Sequence, residues 1–170
     1  ILWEQRAGSG GTMGGIHYGM SASPSALFVG VSDLPTNNPY NVGQGHPGIH
    51  ALSLSTGEIL WRKDLSDQCE ESRFLCWHGI SAAVSSAENL VFAGGLDGIL
   101  RAFDPESGEI LWQTATLQSF GTPNGVEARG GAIEADGPVL VGGEVFVTSG
   151  YDKWNEAPGN VLLVYSLNGQ

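Results

Sequence analysis

The sequence predicts an all-β chain built from repeated four-stranded antiparallel units, and three observations carry that prediction. A motif ending in Gly-Glu-Ile-Leu-Trp recurs, a short apolar run precedes it each time, and glycine is used heavily, at 26 of 170 residues. Glycine supplies the positive φ that tight turns need, while no segment keeps a helical period between paired caps.

The repeat is read by aligning Gly48–Leu65 with Gly98–Leu117 on Trp61 and Trp112. Ala51/Ala102, Gly57/Gly108, Glu58/Glu109, Ile59/Ile110 and Leu60/Leu111 then coincide. A partial third copy runs from Gly159 to Gln170, and Ile1-Leu2-Trp3 matches the end of the motif. Upstream of the two full motifs and of the partial third copy stands an apolar run of strand length: Ala26–Val31, Leu90–Gly95 and Glu144–Gly150. Before each run lies a small-residue segment, Gly15–Met20, Gly79–Val84 and Gly130–Ala135, which reads as a crowded inner strand. The Thr56-Gly57 and Ser107-Gly108 pairs read as hairpin turns into an outermost strand, and Asp97-Gly98 as a further turn. Trp61 and Trp112 then stand on outer strands, where a large flat ring packs against the neighbouring unit. Four-stranded sheets repeated every 50 residues or so are the signature of β-propeller blades. The expected units span 14–65, 78–117 and 128–170, with 1–8 as the outer strand of a preceding blade.

Composition narrows the partners. Apolar residues make up 41% of the chain, enough to bury a core, in runs far too short to span a membrane. The net charge is −11, from 7 basic and 18 acidic residues, and such a surface repels nucleic acid and anionic membranes. The chain opens inside a motif that is complete elsewhere, so it reads as part of a longer protein, with any targeting segment upstream. Its first strand and its incomplete last blade are complementary, and unpaired edges of that kind favour self-association.

The run Ala102 to Trp112, Ala-Phe-Asp-x-x-Ser-Gly-Glu-Ile-Leu-Trp, resembles the tryptophan-docking motif of eight-bladed propellers of the pyrroloquinoline quinone (PQQ) type. Within that family the chain resembles the polyvinyl-alcohol dehydrogenase group. The similarity is carried by Gly14–Met20, Pro47–Leu52, Gly94–Gly98 leading into Arg101–Asp104, and Gly130–Ile133 running on to Ser149–Tyr151 and Pro158–Leu163. The resemblance implies the C-terminal blades of a periplasmic or secreted quinoprotein that oxidises secondary alcohols or polyols and passes electrons through PQQ to a cytochrome c. It also implies Ca²⁺ beside the quinone, as a Lewis acid, and a carboxylate as general base. The sequence contains no Cys-x-x-Cys-His, so no covalent haem site is expected within it.

Several residues are candidates for chemistry. His17, with Tyr18 beside it, lies where an inner strand would face the central channel; it is either a cofactor contact or a satisfied structural histidine. Arg129 stands at the equivalent entry to the third inner segment. Its planar fork suits the carboxylates of PQQ, and the alternative is a solvated loop charge. Cys69 and Cys76, the only cysteines, share one polar loop and are expected to bridge, the alternative being two unrelated thiols; with His78 they lack a fourth ligand for zinc. Asp33, Asn37 and Asn38 lie in an oxygen-rich loop that either holds Ca²⁺ or is a solvated connection. Glu134 and Asp136 follow the Arg129 segment, with nothing in the sequence to fix either as a base. The competing expectation is a cofactor-free propeller serving as a protein-binding scaffold of the outer-membrane assembly type, because one fold hosts both functions.

Overall fold

The computed structural model describes residues 1–10, 13–34, 44–65, 69 and 75–166, among which there is no helix. The first sheet is a four-stranded antiparallel meander of β1 (Met20–Ala22), β2 (Ala26–Val31), β3 (Gly48–Ser53) and β4 (Ile59–Asp64). The second repeats it with β5 (Ser85–Ala87), β6 (Leu90–Gly94), β7 (Ile99–Phe103) and β8 (Ile110–Ala115). A hairpin of β9 (Ser119–Phe120) and β10 (Ala128–Arg129) precedes the third sheet, β11 (Val139–Val141), β12 (Glu144–Ser149) and β13 (Val161–Ser166). The repeat extends to irregularities: the β3–β4 ladder shifts register between Ala51 and Leu52, and β7–β8 shifts between Ala102 and Phe103. These are the same pair of positions in the aligned repeat. The chain is thus all-β, made of propeller blades.

The small-residue segments are not the inner strands. The inner strands β1, β5 and β11 begin at or after the ends of those segments. The segments instead spend their backbone groups between sheets. Ser32 donates to the Gly15 carbonyl, Ile80 to Val31, Leu96 to Gly79, Ile133 to Gly95 and Gly150 to Ala132, at 2.8–3.1 Å. A segment bonded on both sides to neighbouring blades has no groups left for a ladder of its own. Small residues are needed because the sheets close tightly on it: a Cβ on Gly30 would stand 2.6 Å from the Ile80 Cγ2, and one on Gly94 2.1 Å from that of Ile133.

The core lies between blades rather than within them. Phe28, Ile49, Leu65, Ile80, Val91 and Phe103 fill the space between the first and second sheets, with Trp61 packed against them. Leu100, Ile133 and Val147 form the smaller second core, flanked by Leu163 and Tyr165. Trp61 on β4 and Trp3 each clamp the following blade, whereas Trp112 on β8 meets the Tyr165 ring edge-on at 5.5 Å. Trp61 Nε1 donates to the Pro105 carbonyl at 3.0 Å, and Trp3 Nε1 to that of Leu54 at 2.9 Å. The rings lie on the turn glycines, where a Cβ would come within 2.4 Å of Trp3 at Gly57 and 2.5 Å of Trp61 at Gly108. Those glycines also carry φ of 75° and 72°, so both conformation and space demand them. Residues 1–10 belong to no strand, for want of a ladder partner, yet Trp3 docks as Trp61 does.

Two buried polar features were not visible in the sequence. Arg101, fully buried on β7, pairs with Asp97 through two hydrogen bonds, Nη1 to Oδ1 at 3.2 Å and Nη2 to Oδ2 at 2.5 Å. The aligned position in the first sheet is His50, also fully buried, whose Nε2 hydrogen-bonds the His46 carbonyl at 2.9 Å. Burial holds the His50 imidazole below its ordinary range.

Asp33 is neither a calcium ligand nor a solvated loop residue. It is buried, and its carboxylate accepts hydrogen bonds from the backbone N–H groups of Ser9, Gly15 and His46 at 2.8–3.0 Å and from the Ser9 hydroxyl at 3.0 Å. Oxygens ringed by N–H donors meet positive dipoles where a cation would have to sit. Asn37 and Asn38 lie outside the described residues.

Replacing Trp61 by Ala is expected to cost about 3 kcal/mol of unfolding free energy, and Trp61→Phe about 1 kcal/mol through the lost indole bond to Pro105. Equal losses for the two variants in urea titrations would contradict the docking geometry. Burial pushes the Asp33 carboxyl up, but the hydrogen bonds from His46, Gly15 and Ser9 outweigh it and hold the group below the usual carboxylate range. A depressed folded value means stability present above the unfolded pKa of about 3.9 and lost as the pH falls through the folded value. Asp33→Asn should therefore melt lower than wild type at pH 6, by about 2 kcal/mol, with the difference shrinking toward pH 2. A calorimetric series across that range measures it.

Candidate functional site

The seam geometry decides which side chains meet at the inner ends of the sheets. In each small-residue segment an isoleucine leads, and Ile80 and Ile133 are buried against Gly30 and Gly94. The residue after that isoleucine is His17, Ser81 or Glu134 in the three successive segments. The segments are also bonded to one another, Tyr18 N–H to the Ser81 carbonyl at 3.4 Å and Ala83 N–H to that of Ala135 at 3.1 Å. The three side chains consequently join. His17 Nδ1 lies 2.8 Å from the Ser81 Oγ, and Ser81 Oγ donates to the Glu134 Oε1 at 2.9 Å. His17 Nε2 lies 3.2 Å from the Gly14 carbonyl, which can only accept, so that nitrogen carries a hydrogen.

These residues border a cleft of about 330 Å³ lined by Met13, His17, Tyr18, Glu134 and Trp154. Tyr18 and Trp154 are half-exposed and offer flat apolar faces; Ser81 lies buried beneath. Trp154 sits in the loop between β12 and β13, ordered by Glu156. The Glu156 Oε2 accepts the backbone N–H of Lys153 at 3.1 Å and of Trp154 at 2.7 Å. The Lys153 ammonium lies 5.9 Å from the centre of the Trp154 ring. Cys69 and Cys76 are joined in a disulfide with Cα atoms 5.7 Å apart, and Trp77, next in sequence, donates through Nε1 to the Asn155 carbonyl at 3.1 Å. The bridge therefore anchors the chain beside the loop that carries Trp154.

The electrostatics of the wall are set by burial. Glu134 and Glu156 are both buried, and each keeps one carboxylate oxygen without a hydrogen-bond partner among the described residues. Burial, and after it the charge of Glu156, pushes the Glu134 carboxyl above its usual range, against the pull of the Ser81 hydroxyl and Lys153. Burial and the Glu134 charge likewise raise the Tyr18 phenol. Ala135, directly after Glu134, holds a φ of 64°, a strained value for a residue with a Cβ, at the point where the backbone turns the carboxylate inward.

The structure brings His17 and Tyr18 to one cleft but does not bring Arg129 there. Arg129 is exposed on β10, where its backbone N–H donates to the Asn160 side chain at 2.9 Å and its carbonyl accepts from Asn160 at 2.7 Å. Asp136 borders a second cleft, with Tyr18, Ala83, Val139 and Phe146. Ser81, Trp154 and Glu156 were missed in the sequence. Stacking the three segments on their isoleucines would have brought Ser81 into line with His17 and Glu134; nothing marked Glu156. Among the described residues no cluster of three or more His, Cys, Asp or Glu is placed to hold a metal ion.

A raised folded pKa means that the protonated Glu134 stabilises the fold at low pH and that this contribution is lost as the pH rises through the folded value. Glu134→Gln keeps the acceptor for Ser81 and removes the charge. The variant should melt above wild type at pH 8, with the gap closing by about pH 4, the ordinary carboxyl range. A gap independent of pH would contradict the assignment.

Comparison with known proteins agrees with this architecture. The family model described as "Outer membrane protein assembly factor BamB", a PQQ-type repeat, matches residues 1–170. Two polyvinylalcohol dehydrogenases are similar over essentially the whole chain: one from a Pseudomonas species is 32% identical over 100% of it, and one from Sphingopyxis sp. 113P3 is 33% identical over 99%. The chain spans 27% of the length of each. A quinohemoprotein alcohol dehydrogenase from Pseudomonas putida HK5 superimposes with a TM-score of 0.56 at 17% identity, covering 88% of this chain and 18% of that one, which speaks for the fold. With its repeated four-stranded sheets, its tryptophan-on-glycine docking and a family match from first residue to last, the chain belongs to the PQQ-repeat β-propeller family.

Proposed function

We propose that this chain forms part of a periplasmic or secreted PQQ-dependent alcohol dehydrogenase that oxidises secondary alcohols and delivers electrons to a cytochrome c. The observation that carries the reading is the cleft at the inner ends of the blades. Its joined His17, Ser81 and Glu134 are polar groups that blade packing does not require. The whole-chain similarity to the two polyvinylalcohol dehydrogenases supports the substrate class. The disulfide suits an oxidising compartment, and no helix among the described residues is long and apolar enough to cross a membrane.

The wall fits one side of a flat quinone bearing three carboxylates. The exposed faces of Tyr18 and Trp154 suit stacking against a planar ring, His17 offers a hydrogen-bond partner, and Lys153 is a nearby cation. The remaining carboxylates would need cations from other parts of the protein, because Arg129 does not line this cleft. The Ca²⁺ would likewise draw ligands from outside the described residues. When bound, such a quinone accepts the two electrons released by the alcohol. Within this chain, the aromatic faces would exclude water from one side of the site, and the buried carboxyls would favour a ligand that donates hydrogen bonds.

The alternative, a cofactor-free scaffold of the outer-membrane assembly type, is favoured by the description of the matching family model. The full-length protein distinguishes the two when titrated with PQQ and Ca²⁺ and assayed for dye-linked oxidation of a secondary alcohol. The dehydrogenase should take up quinone, melt at a higher temperature and reduce the dye. Absence of both uptake and thermal stabilisation overturns the enzyme reading in favour of the scaffold.

A further inference from the structure

We propose that His17, Ser81 and Glu134 act as a proton relay that joins the cleft to a buried carboxyl. Three blades each contribute one member from the same position of the repeat, and the links are short, 2.8 Å from His17 Nδ1 to Ser81 Oγ and 2.9 Å from Ser81 Oγ to Glu134 Oε1. The ends differ in exposure. His17 is half-buried on the cleft wall, Ser81 is 2% exposed and Glu134 4%.

The hydrogen bonds admit two arrangements that differ by one transferred charge. In the first, the imidazolium donates from Nδ1 to the Ser81 oxygen, and the Ser81 hydroxyl donates to an ionised Glu134. In the second, the serine proton has moved to Glu134 Oε1 and the Nδ1 proton to Ser81 Oγ. The carboxylic acid now donates to the serine, the serine donates to a neutral imidazole, and Nε2–H still points at the Gly14 carbonyl. Two protons hop, one positive charge disappears from the cleft wall, one negative charge disappears from the interior, and no heavy atom moves. A hydroxyl that can both accept and donate is required at the middle position.

The surroundings balance the two arrangements. The Glu156 carboxylate disfavours a second charge on Glu134, Lys153 favours it, and the Tyr18 phenol, itself raised by burial and by the charges of Glu134, Tyr151 and Glu156, stays neutral beside them. The group served at the cleft end is an oxygen that gives up or takes a proton, a hydroxyl. That choice rests on the alcohol-oxidation reading, whereas the relay itself needs no cofactor.

The test is nitrogen and carbon NMR of this chain, labelled on histidine and glutamate and titrated with acid. The Glu134 carboxyl carbon and the His17 Nδ1 signal should move together in one step, while Nε2 keeps its hydrogen. In Ser81→Ala the carboxyl step should persist and the accompanying Nδ1 movement should be lost; in Glu134→Gln the Nδ1 movement at that step should also be lost. Indole N–H signals of Trp3 and Trp61 report that each variant is folded. An Nδ1 signal that stays still through the wild-type carboxyl step overturns the relay, as does unchanged coupling in folded Ser81→Ala. Pentane-2,4-diol, a soluble secondary diol, probes the cleft end and should shift the His17 ring signals. No shift overturns the hydroxyl assignment, and because no quinone is present either outcome is separate from cofactor uptake.

Discussion

The contact of an indole with the turn glycine of the following blade is the constraint on which the other features rest. It fixes the distance between blades through ring thickness and their angle through the single N–H bond to a carbonyl. Both hydrophobic cores lie in the space that this spacing defines, so no blade could bury its apolar face alone. The seams depend on it as well. Backbone groups of the small-residue segments reach both neighbours only if the sheets approach as closely as Gly30 and Gly94 allow.

The cleft follows from the same geometry. Burying Ile80 and Ile133 at the seams sends Ser81 and Glu134 the other way, and the backbone bond from Tyr18 to Ser81 brings His17 beside them although Ile16 is exposed. The site is therefore built from segments outside the strands, held by backbone bonds between blades, with one exception. Trp154 arrives on a loop, and that loop is held by Glu156 from within and by Trp77 and the disulfide from outside. A rigid first wall and a separately anchored second wall suit a site that must hold hydrogen-bond lengths within a few tenths of an ångström.

Much of this was legible in the sequence because it repeats. The second, third and fourth strands announce themselves through β-branched runs, the Ser-Gly or Thr-Gly turn and the Glu-Ile-Leu-Trp signature, and alignment alone identified the docking tryptophans. The inner strands were misplaced because a small-residue segment bonded between sheets has the same composition as a crowded strand within one. The β9–β10 hairpin escaped notice, although Pro123-Asn124-Gly125 is a good turn signal, because the strands are only two residues long. His17 and Tyr18 stood out as chemistry-bearing residues and meet in the structure. Ser81 is as inconspicuous as any serine until the segments are stacked. Arg129, singled out for its planar fork at the entry to the third inner segment, stands on β10 with its backbone bonded to Asn160 and is not among the residues lining the cleft. Asp33 illustrates the opposite error: an acidic residue in a polar loop suggests solvent or a metal, yet backbone donors had already claimed its oxygens.

The buried pair of Arg101 and Asp97 has a consequence for the chain as an array of near copies. Shifting the register by one blade would exchange Arg101 with His50 and Asp97 with His46. Both partners would move together, so the ion pair would survive the slip. What it resists is separation within its own blade, because losing either partner leaves an uncompensated buried charge, at roughly 3–5 kcal/mol. The apolar positions of the two copies are almost interchangeable, so packing alone would penalise such a slip little. The ion pair therefore braces the turn between β6 and β7 from inside one copy, while the first copy is closed at the same place by His50 on the His46 carbonyl.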